Sequence, residues 1–233
     1  MCLNNYMLED LQPYTKLVPC SMTNLREELN KLATSLKHIP DFYNQTKVLL
    51  VEGETEGAFL EKLRESHALP FVWLIVEVYK GQGNRRPARL QMLFDKYQRE
   101  GYKVYIQGDA DGRETDLFSD LVQKCHLSKT QTFLFRYDFE TAIPSEILYV
   151  ALRELGELQG VEEQEFKQRY TEHTGSVNSL LRDFYKVNIN SFKIQLAEMV
   201  GELLNTRWWN WYHEQDFMQS ELGQFLSFIQ QIR

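Results

Sequence analysis

Short runs of aliphatic residues alternate with amphipathic segments along the first two thirds of the chain. The first run, Lys47–Val51, carries four consecutive aliphatic side chains, which is typical of a buried strand. The segment after it places Phe59, Leu60 and Leu63 on one face at helical spacing, and it predicts a helix over 56–66. The chain therefore predicts a buried strand followed at once by a helix that can pack on it.

The same strand–helix pair recurs along the chain up to about residue 155. Further strands are predicted over 71–78, 103–107 and 131–135. Further helices are predicted over 88–100, near 115–126, and from about Glu140 to Leu155. Such alternation predicts an α/β, Rossmann-like fold in which helices cover both faces of a mostly parallel sheet.

The chain outside this alternating region shows only helical patterns. After residue 160, helices are predicted over about 162–172, 176–186, 191–204 and 208–231. Before the first strand, Thr23 can cap a helix that runs through about Leu36. We therefore predict three parts: an N-terminal arm and helix (1–46), a catalytic sheet domain (47–160), and a helical extension packed on or next to it (161–233).

The last predicted helix is rich in aromatic residues. It begins with Trp208, Trp209 and Trp211 and continues with an apolar stripe that includes Phe217 and Phe225. An aromatic stripe of this kind is typical of a core, and it is also typical of a helix that binds a partner, because Trp and Tyr are favoured at interfaces. The sequence leaves both interpretations open.

Composition and charge indicate a globular protein of ordinary kind. Hydrophobic residues make up 43% and charged residues 25% of the 233 positions. The net charge of −7 argues against binding of duplex DNA by bulk attraction. Nucleic acid stays a candidate ligand, because bound metal ions would neutralise carboxylates where a phosphate approaches.

The cysteines and the apolar runs indicate the cellular compartment of the protein. Cys2, Cys20 and Cys125 are isolated from one another, so neither a disulfide framework nor a zinc site is expected, and a reducing cytoplasm is the default. The N-terminus lacks the pattern of a signal peptide. The most apolar run, Leu69–Val78, is too short to cross a bilayer. We expect a soluble cytoplasmic protein that does not bind membranes.

Acidic side chains follow two of the predicted strands. Glu52 comes directly after the first strand, and Glu56 lies in the first turn of the next helix, where the helix dipole favours a negative charge. Asp109 and Asp111 follow the third strand, and residues two apart on an extended chain point to the same side. Ligands bind at the carboxyl ends of strands in open α/β sheets, and hard carboxylate oxygens suit Mg²⁺ or Mn²⁺. Solvated acids at two turns are the alternative interpretation.

The most basic stretch is the loop 80–89, with Lys80, Arg85, Arg86 and Arg89 and no acidic residue. It connects two strand–helix units, so it can border the same edge of the sheet as the acids. It is a candidate contact for a phosphate backbone, or else a solvated loop. The chain contains no P-loop motif, which argues against ATP hydrolysis by that route.

Two of these motifs together resemble a known domain. Val51-Glu52-Gly53, followed later by Asp109-x-Asp111 after a strand, resembles the TOPRIM domain of topoisomerases, primases and small nucleases. The longer form from Leu50 to Glu56 resembles the nuclease domain of the OLD (overcoming lysogenisation defect) family. Weaker similarities to that family follow in the same order, and the resemblance covers roughly residues 46 to 204. These later segments are Gly81–Asn84, Tyr137–Thr141 and Lys193–Ala197.

The resemblance implies roles for individual residues. Glu52, Asp109 and Asp111 would be the core metal ligands, and Glu52 could also act in acid–base transfer. Glu56 would be the extra acid of the OLD pattern and could hold a second ion. Lys193 would stabilise charge in the transition state. Asp138 and Glu140 match more loosely: Glu140 would be a further metal ligand, or it merely begins a helix.

The resemblance implies an endonuclease that uses Mg²⁺ or Mn²⁺, with two ions expected, to hydrolyse DNA or RNA. OLD proteins usually join this domain to an ATPase. Without a P-loop, this chain is expected to be the effector subunit of an antiphage defence system that works with a separately encoded ATPase. A TOPRIM ribonuclease that processes RNA and a non-catalytic interaction module are the alternatives. Whether the chain forms a homo-oligomer stays open.

Overall fold

The fold is described from a computed structural model. The predicted N-terminal arm and helix, and the helical segment near 115–126 apart from Gln123, lie outside the described residues. The structure describes residues 47–65, 74–79, 87–110, 123, 127–207 and 213–232.

Four parallel strands form the sheet. They are β1 (Lys47–Val51), β2 (Leu74–Val78), β3 (Lys103–Asp109) and β4 (Thr132–Phe135). Their order is β2-β1-β3-β4. The predicted α/β, Rossmann-like class is confirmed. β3 extends two residues beyond its predicted end, because its last residues pair with the end of β4, where Asp109 lies opposite Phe135.

Helices surround this sheet and continue after it. A π-helical turn, Leu181–Tyr185, directly follows the short helix Val177–Leu180. Short 3-10 turns occupy Lys129–Gln131 and Ile189–Ser191. The helices of the described residues are α1 (Glu54–Glu65), α2 (Pro87–Arg99), α3 (Phe139–Ala142), α4 (Ser145–Glu154), α5 (Glu163–Glu172), α6 (Val177–Leu180), α7 (Lys193–Thr206), α8 (Gln215–Gln219) and α9 (Glu221–Gln231).

The aliphatic run of β1 supplies both faces of the sheet. Side chains alternate along a strand, so Val48 and Leu50 point to one face and Leu49 and Val51 to the other. The first pair packs with the apolar face of α2. The second pair belongs to a larger core that includes residues of α1, α4, α7 and α9. All four side chains are fully buried, as expected for a strand covered on both faces.

The prediction of one helix from Glu140 to Leu155 is wrong. α3 ends at Ala142 and α4 begins at Ser145. Pro144 lacks a backbone N–H and disfavours a helical conformation in the residue before it. Ile143 is accordingly extended, with φ −72° and ψ 125°. The break separates the short α3 from the longer helix that packs in the core.

The prediction of one helix over 208–231 is also wrong. Ser220 is extended, with φ −64° and ψ 159°, and it separates α8 from α9. Its hydroxyl accepts a hydrogen bond from the N–H of Gly223 at 3.1 Å, which caps α9. Phe217 and Phe225 are buried in the core, so the core interpretation of the stripe is confirmed for the described residues. The tryptophans at 208, 209 and 211 lie outside them.

Gly223 permits a very close approach between the first turn of α9 and the end of α8. A Cβ atom at this position would lie 2.0 Å from the carbonyl oxygen of Phe217 and 2.8 Å from Cα of Met218. Both neighbours are backbone atoms, so they cannot move aside by a change of rotamer. Only glycine fits this position without displacing one helix from the other.

Gly223→Ala should therefore lower the free energy of unfolding by about 2–3 kcal/mol, because the added methyl group overlaps with backbone. Chemical denaturation of the purified chain measures this. Gln231→Ala, at an exposed position in the last turn of the same helix, is the matched control and should change stability by less than about 0.5 kcal/mol. Equal stability of the two variants would contradict the close packing.

Candidate active site at the carboxyl ends of β1 and β3

The sheet order creates a crevice between β1 and β3. The chain leaves β1 for β2 on one side and then returns to form β3 on the other side, so the connections diverge at this point. In doubly wound sheets, such a switch point is where ligands bind, outside the carboxyl ends of the strands. Glu52 follows β1 directly and Asp109 is the last residue of β3. Both acids therefore lie at the crevice.

The structure brings Glu52 and Asp109 into direct contact. The backbone N–H of Asp109 donates to Oε2 of Glu52 at 2.7 Å. Glu52 is buried, with 8% of its surface exposed, and Asp109 is half-buried. The two acids predicted at strand ends thus form one cluster, while Asp111, predicted to join them, lies outside the described residues.

The side-chain amide of Gln107 connects the two acids. Gln107 is fully buried, and both ends of its side-chain amide are used. Oε1 accepts from the backbone N–H of Glu52 at 3.0 Å, and Nε2 donates to Oδ1 of Asp109 at 3.0 Å. The Tyr79 hydroxyl donates to the carbonyl oxygen of Gln107 at 2.9 Å and lies 3.5 Å from Oε2 of Glu52.

Gln107 and Tyr79 were not predicted from the sequence. The alternation of side chains along β3 could have indicated Gln107, because Tyr105, Gln107 and Asp109 share one side of the strand and Tyr105 is in the core. A polar residue between a core position and an acid at a strand end is a candidate for holding that acid. Tyr79, directly after β2, gave no comparable signal.

Glu56 lies in the first turn of α1 and points inward. It is 3% exposed, and its Oε2 accepts a hydrogen bond from the N–H of Gly53 at 3.0 Å. The pKa of Glu56 is raised to about 7, chiefly by burial and also by the nearby Glu140 carboxylate. Backbone N–H groups and the Lys193 ammonium oppose this rise in pKa. Glu56 is therefore a buried acid and not a solvated surface residue.

Glu140 and Lys193 form an ion pair next to Glu56. The Lys193 ammonium lies 3.1 Å from Oε1 of Glu140, which is 2% exposed. Oε1 has no other hydrogen-bond partner among the described residues. Burial raises the pKa of Glu140, and Lys193 opposes that rise. Burial lowers the pKa of Lys193, but the neighbouring carboxylates outweigh it, so that pKa is raised overall.

Close packing of α7 on α1 positions Lys193. A Cβ atom at Gly201 would lie 2.9 Å from Cβ of Lys62 and 3.2 Å from the carbonyl oxygen of Phe59, so the two helices approach closely at this glycine. The Asn205 side chain donates to the carbonyl oxygen of Lys62 at 3.0 Å. Lys193, the first residue of α7, thereby lies near the first turn of α1, although it is far away in sequence.

The Glu52–Asp109 pair and the group of Glu56, Glu140 and Lys193 are neighbours, because Glu56 accepts a hydrogen bond from the N–H of Gly53, the residue after Glu52. Burial raises the pKa of the Tyr79 hydroxyl well above its ordinary value, and the charges of Asp109 and Glu56 both add to that rise. Tyr79 therefore lies within electrostatic reach of both groups and stays protonated.

The site holds more acid than base. Buried charges are costly unless opposite charges compensate them. Lys193 contacts Glu140, and it also lies within electrostatic reach of Glu56. An excess of buried acid favours either a bound cation or protonation of a carboxyl group, as the raised pKa of Glu56 indicates. The acids of the site are Glu52, Glu56, Asp109 and Glu140.

The donors are hard oxygens, which suit Mg²⁺ or Mn²⁺ better than softer metals. Within the described residues, no three or more His, Cys, Asp or Glu side chains are grouped closely enough to hold a metal ion. Glu52 and Asp109 are the described acids at the crevice, where the Glu52 carboxylate contacts the backbone N–H of Asp109. The third ligand that the resemblance implies, Asp111, lies outside the described residues.

The basic residues are described only in part. Lys80, Arg85 and Arg86 lie outside the described residues. Arg89 is exposed in the first turn of α2, and it donates to the carbonyl oxygen of Val78 at 3.4 Å. Because Val78 ends β2, Arg89 lies at the same edge of the sheet as the acids.

Asp138 has a structural role that its loose match to the OLD pattern did not indicate. Its side chain accepts from the N–H of Thr141 at 2.9 Å and caps α3. This cap fixes the short helix that carries Glu140. Glu140 does lie in the first turn of α3, as predicted, but it is buried against Lys193 and does not face solvent.

Comparison with protein-family models, curated proteins and solved structures found no match to this chain. In the described part of the chain, no helix is both long and apolar enough to cross a membrane.

The raised pKa of Glu56 predicts a pH-dependent stability. Between its ordinary pKa near 4.5 and about 7, the folded protein holds a proton that the unfolded chain has released. The free energy of unfolding should fall as the pH rises through this window, by up to about 3 kcal/mol from this group. Glu56→Gln, which keeps an acceptor for the Gly53 N–H, should remove that loss and be more stable than wild type at about pH 8.

Denaturation in the presence of a chelator, at about pH 5 and about pH 8, measures this difference. Glu154→Gln is the matched control, because Glu154 is exposed on α4, and it should follow the wild-type pH dependence. A Glu56→Gln variant with the same pH dependence as wild type would contradict the burial of this acid.

Proposed function

We propose that this protein is a Mg²⁺- or Mn²⁺-dependent nuclease with a TOPRIM-type site most like that of the OLD family. The observation that carries the proposal is the contact between Glu52 and Asp109 at the switch point of a parallel sheet. The parallel sheet and the position of both acids at strand ends agree with the Rossmann-like fold and the metal ligands that the motif resemblance implies. The substrate class is DNA, with RNA as the alternative.

The side chains of the site have distinct parts in this proposal. A divalent ion bound here would activate water and neutralise charge on a phosphodiester. Glu52 and Asp109 would hold it, together with Asp111. The Lys193 ammonium keeps its proton and would stabilise charge that develops on the phosphate. Tyr79 also stays protonated and fixes the end of β3 through its hydrogen bond to Gln107.

A second ion is part of the proposal through Glu56 and Glu140. Lys193 already contacts Glu140 at 3.1 Å, so a second ion would compete with the ammonium for the same carboxylate. Glu56 is held by the N–H of Gly53 and faces the same group. A second ion would therefore either share the Glu140 carboxylate with Lys193 or displace the ammonium from it.

We also propose a separately encoded ATPase partner and a role in antiphage defence in the cytoplasm. The support is the resemblance to a domain usually joined to an ATPase, in a sequence without a P-loop. The apolar residues of α8 and α9 give no support, because Phe217 and Phe225 are used in the core. Affinity capture of the tagged full chain from its own cells, followed by mass spectrometry, tests the partner.

Asp109→Asn should reduce Mn²⁺-dependent cleavage by about 100-fold or more, because the amide is a poor ligand for a hard cation. Plasmid DNA and total RNA are incubated with the chain alone and with any captured partner. Asp183→Asn, an exposed position on the π-helical turn, is the control and should cleave like wild type. Capture of the partner should be equal for both variants.

Each result of this assay bears on one interpretation. Cleavage of RNA but not DNA would favour the RNA-processing alternative. Full cleavage by the Asp109→Asn variant would remove the metal site from the mechanism. Absence of cleavage by wild type with its partner and either metal would favour the non-catalytic alternative.

Arg89→Ala should weaken binding of nucleic acid by a similar factor for all sequences and reduce the slope of log affinity against log salt by about 1. The reason is that an exposed cation at the edge of the site contacts phosphate and not bases. Arg99→Ala, exposed at the other end of the same helix, is the matched control and should leave the slope unchanged. Binding to labelled DNA with Ca²⁺ in place of Mg²⁺ measures both slopes, and equal slopes would exclude Arg89 from the interface.

A further inference from the structure

We infer that Gln107 is a positioning residue that orients the metal-binding carboxylates of Glu52 and Asp109 through its side-chain amide. This inference rests on the proposed function and adds a residue that neither the motifs nor the resemblance includes.

The bridge begins where the backbone pairing of the two strands ends. Paired residues of β1 and β3 run as far as Leu50 and Ile106. Beyond that point, side chains make the connections: the N–H of Glu52 donates to Gln107, and the N–H of Asp109 donates to Glu52. Each connection joins one strand to the other at the edge of the crevice. The carboxylates therefore sit on a short extension of the sheet that side chains hold together.

The amide group suits this position better than the charged alternatives. Gln107 has one acceptor and one donor group, and the two are matched to an N–H of Glu52 and to Oδ1 of Asp109. A lysine or arginine here would add a positive charge that repels a metal ion. A glutamate could accept from Glu52 but could not donate to Asp109, and it would add to the excess of acid. Gln107 orients Asp109 without changing the charge of the site.

Burial and a second contact make the bridge rigid. Gln107 is fully buried, so few rotamers are open to it, and Tyr79 anchors its backbone from β2. Groups that hold a metal ligand in place typically contribute a factor of 10–100 to metal affinity or activity. The Gln107 amide binds the side chain of Asp109 and the backbone N–H of Glu52. Loss of this amide should therefore affect both ligands.

The test compares two glutamines whose side-chain amides bond near opposite ends of β3: Gln107 lies on β3, and Gln131 lies in the 3-10 turn before β4. Gln131 also bridges with both ends of its amide, to the carbonyl oxygen of Val104 and the N–H of Ser128, but at the amino end of β3. Gln107→Met and Gln131→Met remove equivalent bridges with similar side-chain volume. Mn²⁺ affinity of the purified full chain is measured by electron paramagnetic resonance, and melting temperature is measured in parallel with a chelator.

Gln107→Met should weaken Mn²⁺ binding by about 10-fold or more, while Gln131→Met should stay within about twofold of wild type. A purely structural role for Gln107 would lower the melting temperature and leave the Mn²⁺ affinity equal to that of Gln131→Met, and this outcome would overturn the inference. If Gln107→Met does not fold, Tyr79→Phe removes the hydroxyl bond to the carbonyl oxygen of Gln107, together with the longer contact to Glu52. This variant should weaken Mn²⁺ binding by about threefold; an unchanged affinity would overturn the inference.

This experiment distinguishes failure of the proposed metal site from failure of the role inferred for Gln107. Wild-type protein that does not bind Mn²⁺ at millimolar concentration would defeat the proposed function and the inference together. Wild-type binding with an unchanged affinity in both the Gln107 and Tyr79 variants would defeat the inference alone.

Discussion

The parallel register of β1 and β3 is the constraint on which the site depends. Because the two strands run the same way and pair from Lys47 opposite Lys103, their carboxyl ends meet at one edge. Glu52 and Asp109 are more than fifty positions apart in sequence, yet this register places one N–H 2.7 Å from the other carboxylate. Asp109 shares one side of β3 with Tyr105 of the larger core, so a shift of one residue would turn Asp109 to the opposite face of the sheet, where α2 packs.

The second constraint is electrostatic, and it links the sheet to the helices that follow. Three acids at the site are buried, and burial penalises their charged forms. Lys193 reduces that penalty for Glu140 and Glu56, and α7 reaches this position because Gly201 lets it approach α1. The helical extension is thus part of the site. Its first residue, Lys193, supplies positive charge to Glu140 and Glu56.

Much of the fold could be predicted from the sequence because strong periods mark it. The aliphatic run of β1 and the helical spacing of Phe59, Leu60 and Leu63 gave β1 and α1 within about two residues. The helix breaks at Pro144 and Ser220 were missed, since an apolar period continues across both. The meeting of Glu52 with Asp109 followed from strand ends alone. The bridging role of Gln107 and the burial of Glu140 depend on which side chains fill the space between elements. The periodicity of apolar residues along the chain carries no information about these contacts.

The close packing of α7 on α1 also fixes the order in which the site can assemble. All four strands precede residue 136, so the crevice with Glu52 and Asp109 is synthesised well before Lys193. During translation, the nascent sheet carries its carboxylates without their ammonium, and Glu56 and Glu140 must stay protonated or solvated until α7 docks. Completion of the site is therefore a late folding event, and a chain interrupted before α7 lacks the group that balances its buried acids.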